Sequence, residues 1–101
     1  MARFDVYQQS ERVPFLLDIQ ANLFADLNTR TVIPLMPQAG GGKSEALLRL
    51  KPILTVKGQT YVMVTTDITT VRVAILGKFI ENLEDQRQTI IDAVDFLLQG
   101  F

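Results

Sequence analysis

The chain has 101 residues, 48% of them hydrophobic, and a formal net charge of −1. That is enough for one compact core and argues against disorder, while the ten Lys and Arg are scattered and supply no basic field of the kind a direct nucleic-acid binder needs. Cysteine and histidine are both absent, which excludes disulfides, thiol nucleophiles, zinc sites of the Cys/His type and imidazole general bases.

The first segment, Arg3-Phe4-Asp5-Val6-Tyr7-Gln8, alternates polar and apolar and predicts a half-buried strand. A polar turn at Gln9-Ser10-Glu11-Arg12 leads to the apolar run Pro14-Phe15-Leu16-Leu17-Asp18-Ile19, so the first two strands pair as a hairpin. Ala21 to Leu27 is ambiguous, with a helical turn as one reading. Arg30-Thr31-Val32-Ile33-Pro34-Leu35 is rich in β-branched residues, and Pro34, which cannot donate to a ladder, marks an edge or a strand end. A low-complexity stretch, Pro37 to Ser44, follows, with Ser44 to Leu50 open to a helical turn. Two apolar runs, 52–56 and 59–66, flank Lys57-Gly58 and predict a second hairpin. Alternation returns over 70–76.

The period then changes. Ile90, Val94, Leu97 and Phe101 fall at helical spacing, with Leu83, Ile91 and Leu98 beside them. Glu84 and Asp85 suit a helix N-terminus, and Asn82 with Asp85 resembles a capping box. The pattern predicts a helix from about Leu83 to Leu98, ended by Gly100. Six or so antiparallel strands and one terminal helix make a barrel-like α+β fold in a single domain, residues 1–101.

Gly42-Lys43-Ser44 imitates the end of a phosphate-binding loop. The motif requires Gly where Pro37 stands, and the chain lacks the repeated strand–helix units of that fold, so a surface loop is the better reading. Asp92 and Asp95 share a helical face, which fits a solvated surface better than a carboxylate pair in a cleft. Thr65-Thr66-Asp67 has no histidine to activate it and reads as a turn. No apolar run reaches membrane-spanning length and no signal pattern opens the chain, so the expected location is the cytoplasm. Leu98-Gln99-Gly100-Phe101 closes the sequence on a bulky aromatic, which fits equally a residue of the chain's own core and an interface residue.

Taken in order, Phe4, Val6-Tyr7, Asp18-Ile19-Gln20, Arg30, Val32-Ile33-Pro34-Leu35, Thr65-Thr66-Asp67, Val71, Val73 and the helix ending in Gly100 make the chain resemble the CcdB toxin family nearly end to end. The resemblance implies an SH3-like antiparallel β-barrel with a C-terminal α-helix, assembled as a homodimer. It implies a toxin of a toxin–antitoxin pair that binds the A subunit of DNA gyrase and traps the cleaved gyrase–DNA complex, without catalysis, cofactor or metal. It further implies a cognate CcdA-like antitoxin, with which the toxin represses its own operon. The family's gyrase contacts carry over to Leu23, Phe24, Asp95, Leu98, Gln99, Gly100 and Phe101. Gly100 is retained, whereas Gln99 and Phe101 stand where well-known members carry Trp and Ile. Loss of a large aromatic from a hot spot can remove a few kcal/mol of binding. Arg87 replaces an acid, and the Gly40-Gly41-Gly42 loop is more flexible by composition than the family's. Two alternatives follow: a homologue that keeps antitoxin binding but not gyrase poisoning, and an endoribonuclease of the MazF type, which shares this barrel.

Overall fold

The computed structural model describes residues 1–10, 12–24, 26–38 and 45–100. Among these, seven strands and two helices succeed one another: β1 (Asp5–Gln8), β2 (Phe15–Asp18), β3 (Thr29–Pro37), α1 (Glu45–Leu50), β4 (Ile53–Val56), β5 (Gln59–Met63), β6 (Thr69–Arg72), β7 (Phe79–Asn82) and α2 (Arg87–Gln99). Short 3-10 turns occupy Asn22–Phe24, Thr65–Asp67, Val73–Ile75 and Glu84–Gln86. The strands form one antiparallel sheet in the order β4-β5-β3-β2-β1-β7, with β6 added to β3. The result is a curled antiparallel half-barrel carrying a C-terminal helix, the architecture anticipated above.

Both predicted hairpins form. Val6 pairs with Leu17, and Leu17 with Ile33, so three apolar side chains line up across β1, β2 and β3 on one face. They join Phe4, Leu35, Leu54, Val56, Met63 and Leu83 in the core, which α2 closes with Ile90 and Ala93. Burying each large apolar side chain contributes roughly 1.5–3 kcal/mol, so this face decides the register: a slip by one residue would turn the row outward. The β4–β5 hairpin turns at Lys57 (φ 50°) and Gly58 (φ 79°), the pair of left-handed residues that a two-residue type I′ turn requires.

Four local expectations are corrected. Pro34 lies within β3, not at an edge or end. It is tolerated because β3 changes partner there, from β6 over Thr29–Val32 to β5 over Leu35–Pro37. The Pro34 carbonyl points to that side, accepting the Val64 N–H at 3.0 Å. A strand residue's N and O point the same way, so the missing donor faces the gap between the two partners. Second, the strand expected over 70–76 stops at Arg72 and continues as a 3-10 turn. Third, α2 begins at Arg87, after a 3-10 turn, and the capping box is not made. The Asn82 side chain accepts the Glu84 N–H at 2.9 Å and donates to Asp5 and to the Arg3 carbonyl. Finally, Phe79–Asn82, which was not recognised as a strand, is β7.

The two ends of the sheet, β4 and β7, are joined by side chains. The Gln86 amide accepts the Thr55 N–H (3.0 Å) and donates to the Thr55 carbonyl (2.8 Å), as a neighbouring strand residue would. The Glu81 carboxylate accepts the Lys57 N–H at 2.7 Å.

The other face of the sheet is buried too. Asp5, Tyr7, Leu16, Asp18, Arg30 and Val32 are all buried, although they alternate with the core residues and point away from them. The connection from β6 to β7 leads from one ladder to another. It leaves beside β3, with Val73 N donating to Asn28 O (2.8 Å), and arrives beside β1, with Gly77 N donating to Gln8 O (3.0 Å). At Gly77 a side chain would put its Cβ 2.5 Å from the Gln8 carbonyl oxygen, so the close approach needs glycine.

Candidate partner-binding site

Five of the seven residues assigned by resemblance sit on two elements. Leu23 and Phe24 belong to the 3-10 turn Asn22–Phe24, and Asp95, Leu98 and Gln99 to the last turns of α2. Gly100 caps α2 in the left-handed conformation (φ 78°), with its N–H donating to Phe96 O at 2.8 Å. Phe101 lies outside the described residues, as do the Gly40-Gly41-Gly42 loop and the Gly42-Lys43-Ser44 motif.

The apolar members are exposed to an unusual degree. Leu23 keeps 86% of its surface open, Leu98 74% and Phe24 50%. Isolated exposed leucines are ordinary, but apolar tips on two elements are a feature of docking surfaces.

Arg3 ties the N-terminal segment to the turn. Its backbone N–H donates to Asn22 Oδ1 (2.8 Å), its Nε donates to Ile19 O (3.2 Å), and its guanidinium lies over the Phe4 ring (4.9 Å to the centroid). Arg3 then borders a cleft of about 140 Å³ with Phe4, Ile19, Ile91, Val94 and Asp95. This small, largely apolar cleft lies against the middle of α2 and has a cation, Arg3, and a carboxylate, Asp95, in its lining. On the other side of α2 a more open, more polar cleft of about 350 Å³ lies against α1, lined by Leu48, Arg49, Pro52, Thr89, Asp92 and Asp95. Arg49 stacks over the Phe96 ring at 4.3 Å. Asp95 borders both clefts. Asp92 and Asp95 are both exposed, as anticipated, but both also line the cleft against α1, and Asp92 accepts a bond from Gln88 (2.8 Å).

Arg3, Ile91 and Val94 were not singled out in the sequence. The only signal was the helical spacing of Ile91 and Val94 and the tripeptide Asp18-Ile19-Gln20. The Asn82 and Asp5 side chains steady the N-terminal strand from below: Asn82 Nδ2 donates to Arg3 O (3.0 Å) and to Asp5 Oδ1 (2.9 Å), and Tyr7 Oη donates to Asp5 Oδ2 (2.9 Å). Burial, with the hydrogen bond to the Asp5 carboxylate next, pushes the Tyr7 phenol well above its ordinary value.

Among the described residues no group of three His, Cys, Asp or Glu is arranged to hold a metal ion, and no helix is long and apolar enough to cross a membrane.

A family model described as CcdB protein matches residues 3–100. Among solved structures, the Mycobacterium tuberculosis toxin MazF-mt6 is similar with a TM-score of 0.72 at 19% identity, covering 95% of this chain and 96% of that one. An endoribonuclease in complex with its cognate antitoxin, from a mycobacterial species, gives 0.68 at 16% identity over 97% and 94%. A further mycobacterial endoribonuclease gives 0.68 at 18% over 97% and 90%. At these identities the likeness is one of fold.

Proposed function

The chain belongs to the CcdB family, toxins of toxin–antitoxin systems, and from that premise we propose that it binds the A subunit of DNA gyrase and traps the cleaved gyrase–DNA complex. The observation that carries this reading is the exposure of Leu23 and Phe24 on the Asn22–Phe24 turn and of Leu98 on the last turn of α2. Exposed apolar side chains supply the desolvated centre of an interface, with Arg3 and Asp95 as its polar rim. The helix end is presented and not consumed, so inhibition works by binding and not by turnover.

A homodimer would present two such ends to a two-fold target. Exposed Leu27 and Ile75, and the outer edge of β6, which pairs with no strand among the described residues, support such an assembly. A cognate antitoxin would cover the same surface and release gyrase, and toxin and antitoxin together would repress their operon.

The deciding experiment is gyrase supercoiling and cleavage with the purified protein. Accumulation of linear DNA supports the reading. A folded, dimeric protein that leaves gyrase untouched points to a module that keeps only antitoxin binding, the reading favoured by exposed Gln99 in place of a large aromatic. Gln99→Trp would then gain toxicity. The MazF-like fold favours a second test, cleavage of purified RNA by the purified protein.

A further inference from the structure

None of Asn22–Phe24 is buried, Leu23 keeping 86% and Phe24 50% of its surface exposed, so the turn has little apolar packing among the described residues. It is held by hydrogen bonds, and these lead back into the sheet. Arg30 and Asp18 form a fully buried ion pair, Nε to Oδ2 at 2.6 Å. The other oxygen of Asp18 accepts the Gln20 N–H at 2.9 Å. That bond fixes Gln20 just past the end of β2, where its side-chain amide works in both directions. Gln20 Oε1 accepts the Thr31 N–H at 3.1 Å, and Gln20 Nε2 donates to the Phe24 carbonyl at 2.9 Å.

The Thr31 bond occupies a particular place. Ile19 lies opposite Thr31 and donates its N–H to Thr31 O at 3.0 Å. In a regular ladder Thr31 would return its N–H to Ile19 O. The Ile19 carbonyl instead accepts Arg3 Nε, and Gln20 Oε1 substitutes for it. The chain can therefore leave the sheet at Gln20 without leaving the Thr31 donor unpaired, and the same amide ties down the turn's exit.

We propose that Gln20 is the positioning residue of the partner-binding site: its amide, anchored by the buried Asp18–Arg30 pair, fixes the Asn22–Phe24 turn so that Leu23 and Phe24 are held ready for the partner. This rests on the reading that those two side chains dock on gyrase. A turn fixed beforehand loses less entropy on binding, so Gln20 contributes affinity through residues other than itself.

The test compares Gln20→Met, which keeps the length and removes both bonds, with Gln20→Glu, which keeps the acceptor for Thr31 and loses the donor to Phe24. In Gln20→Met the carbonyl carbon resonance of Phe24 and the amide proton of Thr31 shift upfield, while those of Val6 and Ile33 stay in place. In Gln20→Glu only the Phe24 resonance moves. Binding to purified gyrase A subunit weakens about tenfold in Gln20→Met, the scale of one to two net hydrogen bonds. In a Leu23→Ala/Phe24→Ala background the same substitution changes affinity by less than about twofold, because coupled residues do not add. Wild-type affinity in Gln20→Met, or a full additional tenfold loss in the double-alanine background, overturns the proposal. If the wild-type protein does not bind gyrase, the target reading fails separately, and unchanged Phe24 and Thr31 resonances in Gln20→Met overturn the positioning role without reference to any partner.

Discussion

At the scale of single residues, the Asp18–Arg30 pair is the most demanding feature of the molecule. Both side chains are fully buried, and the two terminal nitrogens of Arg30 find no protein acceptor among the described residues. Such a pair is weak evidence of net stabilisation, since desolvating two charges offsets much of their attraction. Removing one partner is another matter. Arg30→Met leaves the buried Asp18 carboxylate without its cation and is expected to lower unfolding free energy by about 3–5 kcal/mol in urea titrations. Asp18→Leu/Arg30→Met should be less destabilised than the sum of the single variants, and strict additivity would show that the two charges do not depend on each other. Tyr7 gives a prediction in pH. Its phenol is raised in the folded state, so the native protein holds a proton that the unfolded chain releases above about pH 10. The associated stability is complete below that value and declines as pH rises beyond it. Tyr7→Phe should flatten this alkaline decline in thermal melts taken from pH 8 to 11, while losing the Asp5 bond at all pH values. A decline equally steep in the variant would place its origin elsewhere.

At the scale of elements, the half-barrel depends on a join that no strand makes. Gln86 pairs with both backbone groups of Thr55, and Glu81 takes the N–H of Lys57, so β4 and the chain after β7 are connected by side chains that imitate a ladder. Gln86→Ala should reduce stability by about 1 kcal/mol, the net value of a hydrogen-bonded contact. Gln88→Ala, which removes an exposed bond to Asp92 within one helix, should lose only about 0.2–0.5 kcal/mol. Equal effects in the two variants, measured by denaturant midpoint, would argue that the join adds nothing beyond a surface contact. The same element explains why α2 starts late. The chain leaving β7 must bring Gln86 to Thr55, and a 3-10 turn at Glu84–Gln86 does so before the α-helical geometry begins at Arg87. Arg87 then sits at the unfavourable end of the helix dipole, partly offset by Glu84 at 3.3 Å.

At the scale of the whole molecule, most of the proposed contacts lie outside the core. The core is closed by Ile90 and Ala93 in the first half of α2, whereas the proposed contacts lie at Asp95, Leu98 and beyond. Deleting Gly100 and Phe101 should therefore leave the thermal midpoint within a few degrees of wild type and abolish gyrase poisoning. Retained poisoning by a folded truncation would show that the interface is misplaced. How much of this was legible beforehand follows from the range of the forces involved. Period-two alternation marked β1, a short apolar run marked β2, Lys57-Gly58 marked the second hairpin, and the 3.6-residue spacing of Ile90, Val94 and Leu97 marked α2, because each pattern is set by neighbours within one turn or one strand. The ordered set of short motifs was enough to name the family and its fold. Whether Pro34 fell at an edge, whether Phe79–Asn82 was a strand, and how Arg3, Gln20 and Gln86 were used depended on residues distant in the chain. Pro34 is tolerated because β3 exchanges β6 for β5 beside it, and Gln20 and Gln86 act as backbone substitutes because the ladders on either side of them are incomplete. Those are properties of strand pairing across the sheet, and only the tertiary structure decides which donors and acceptors the ladder leaves for side chains to complete.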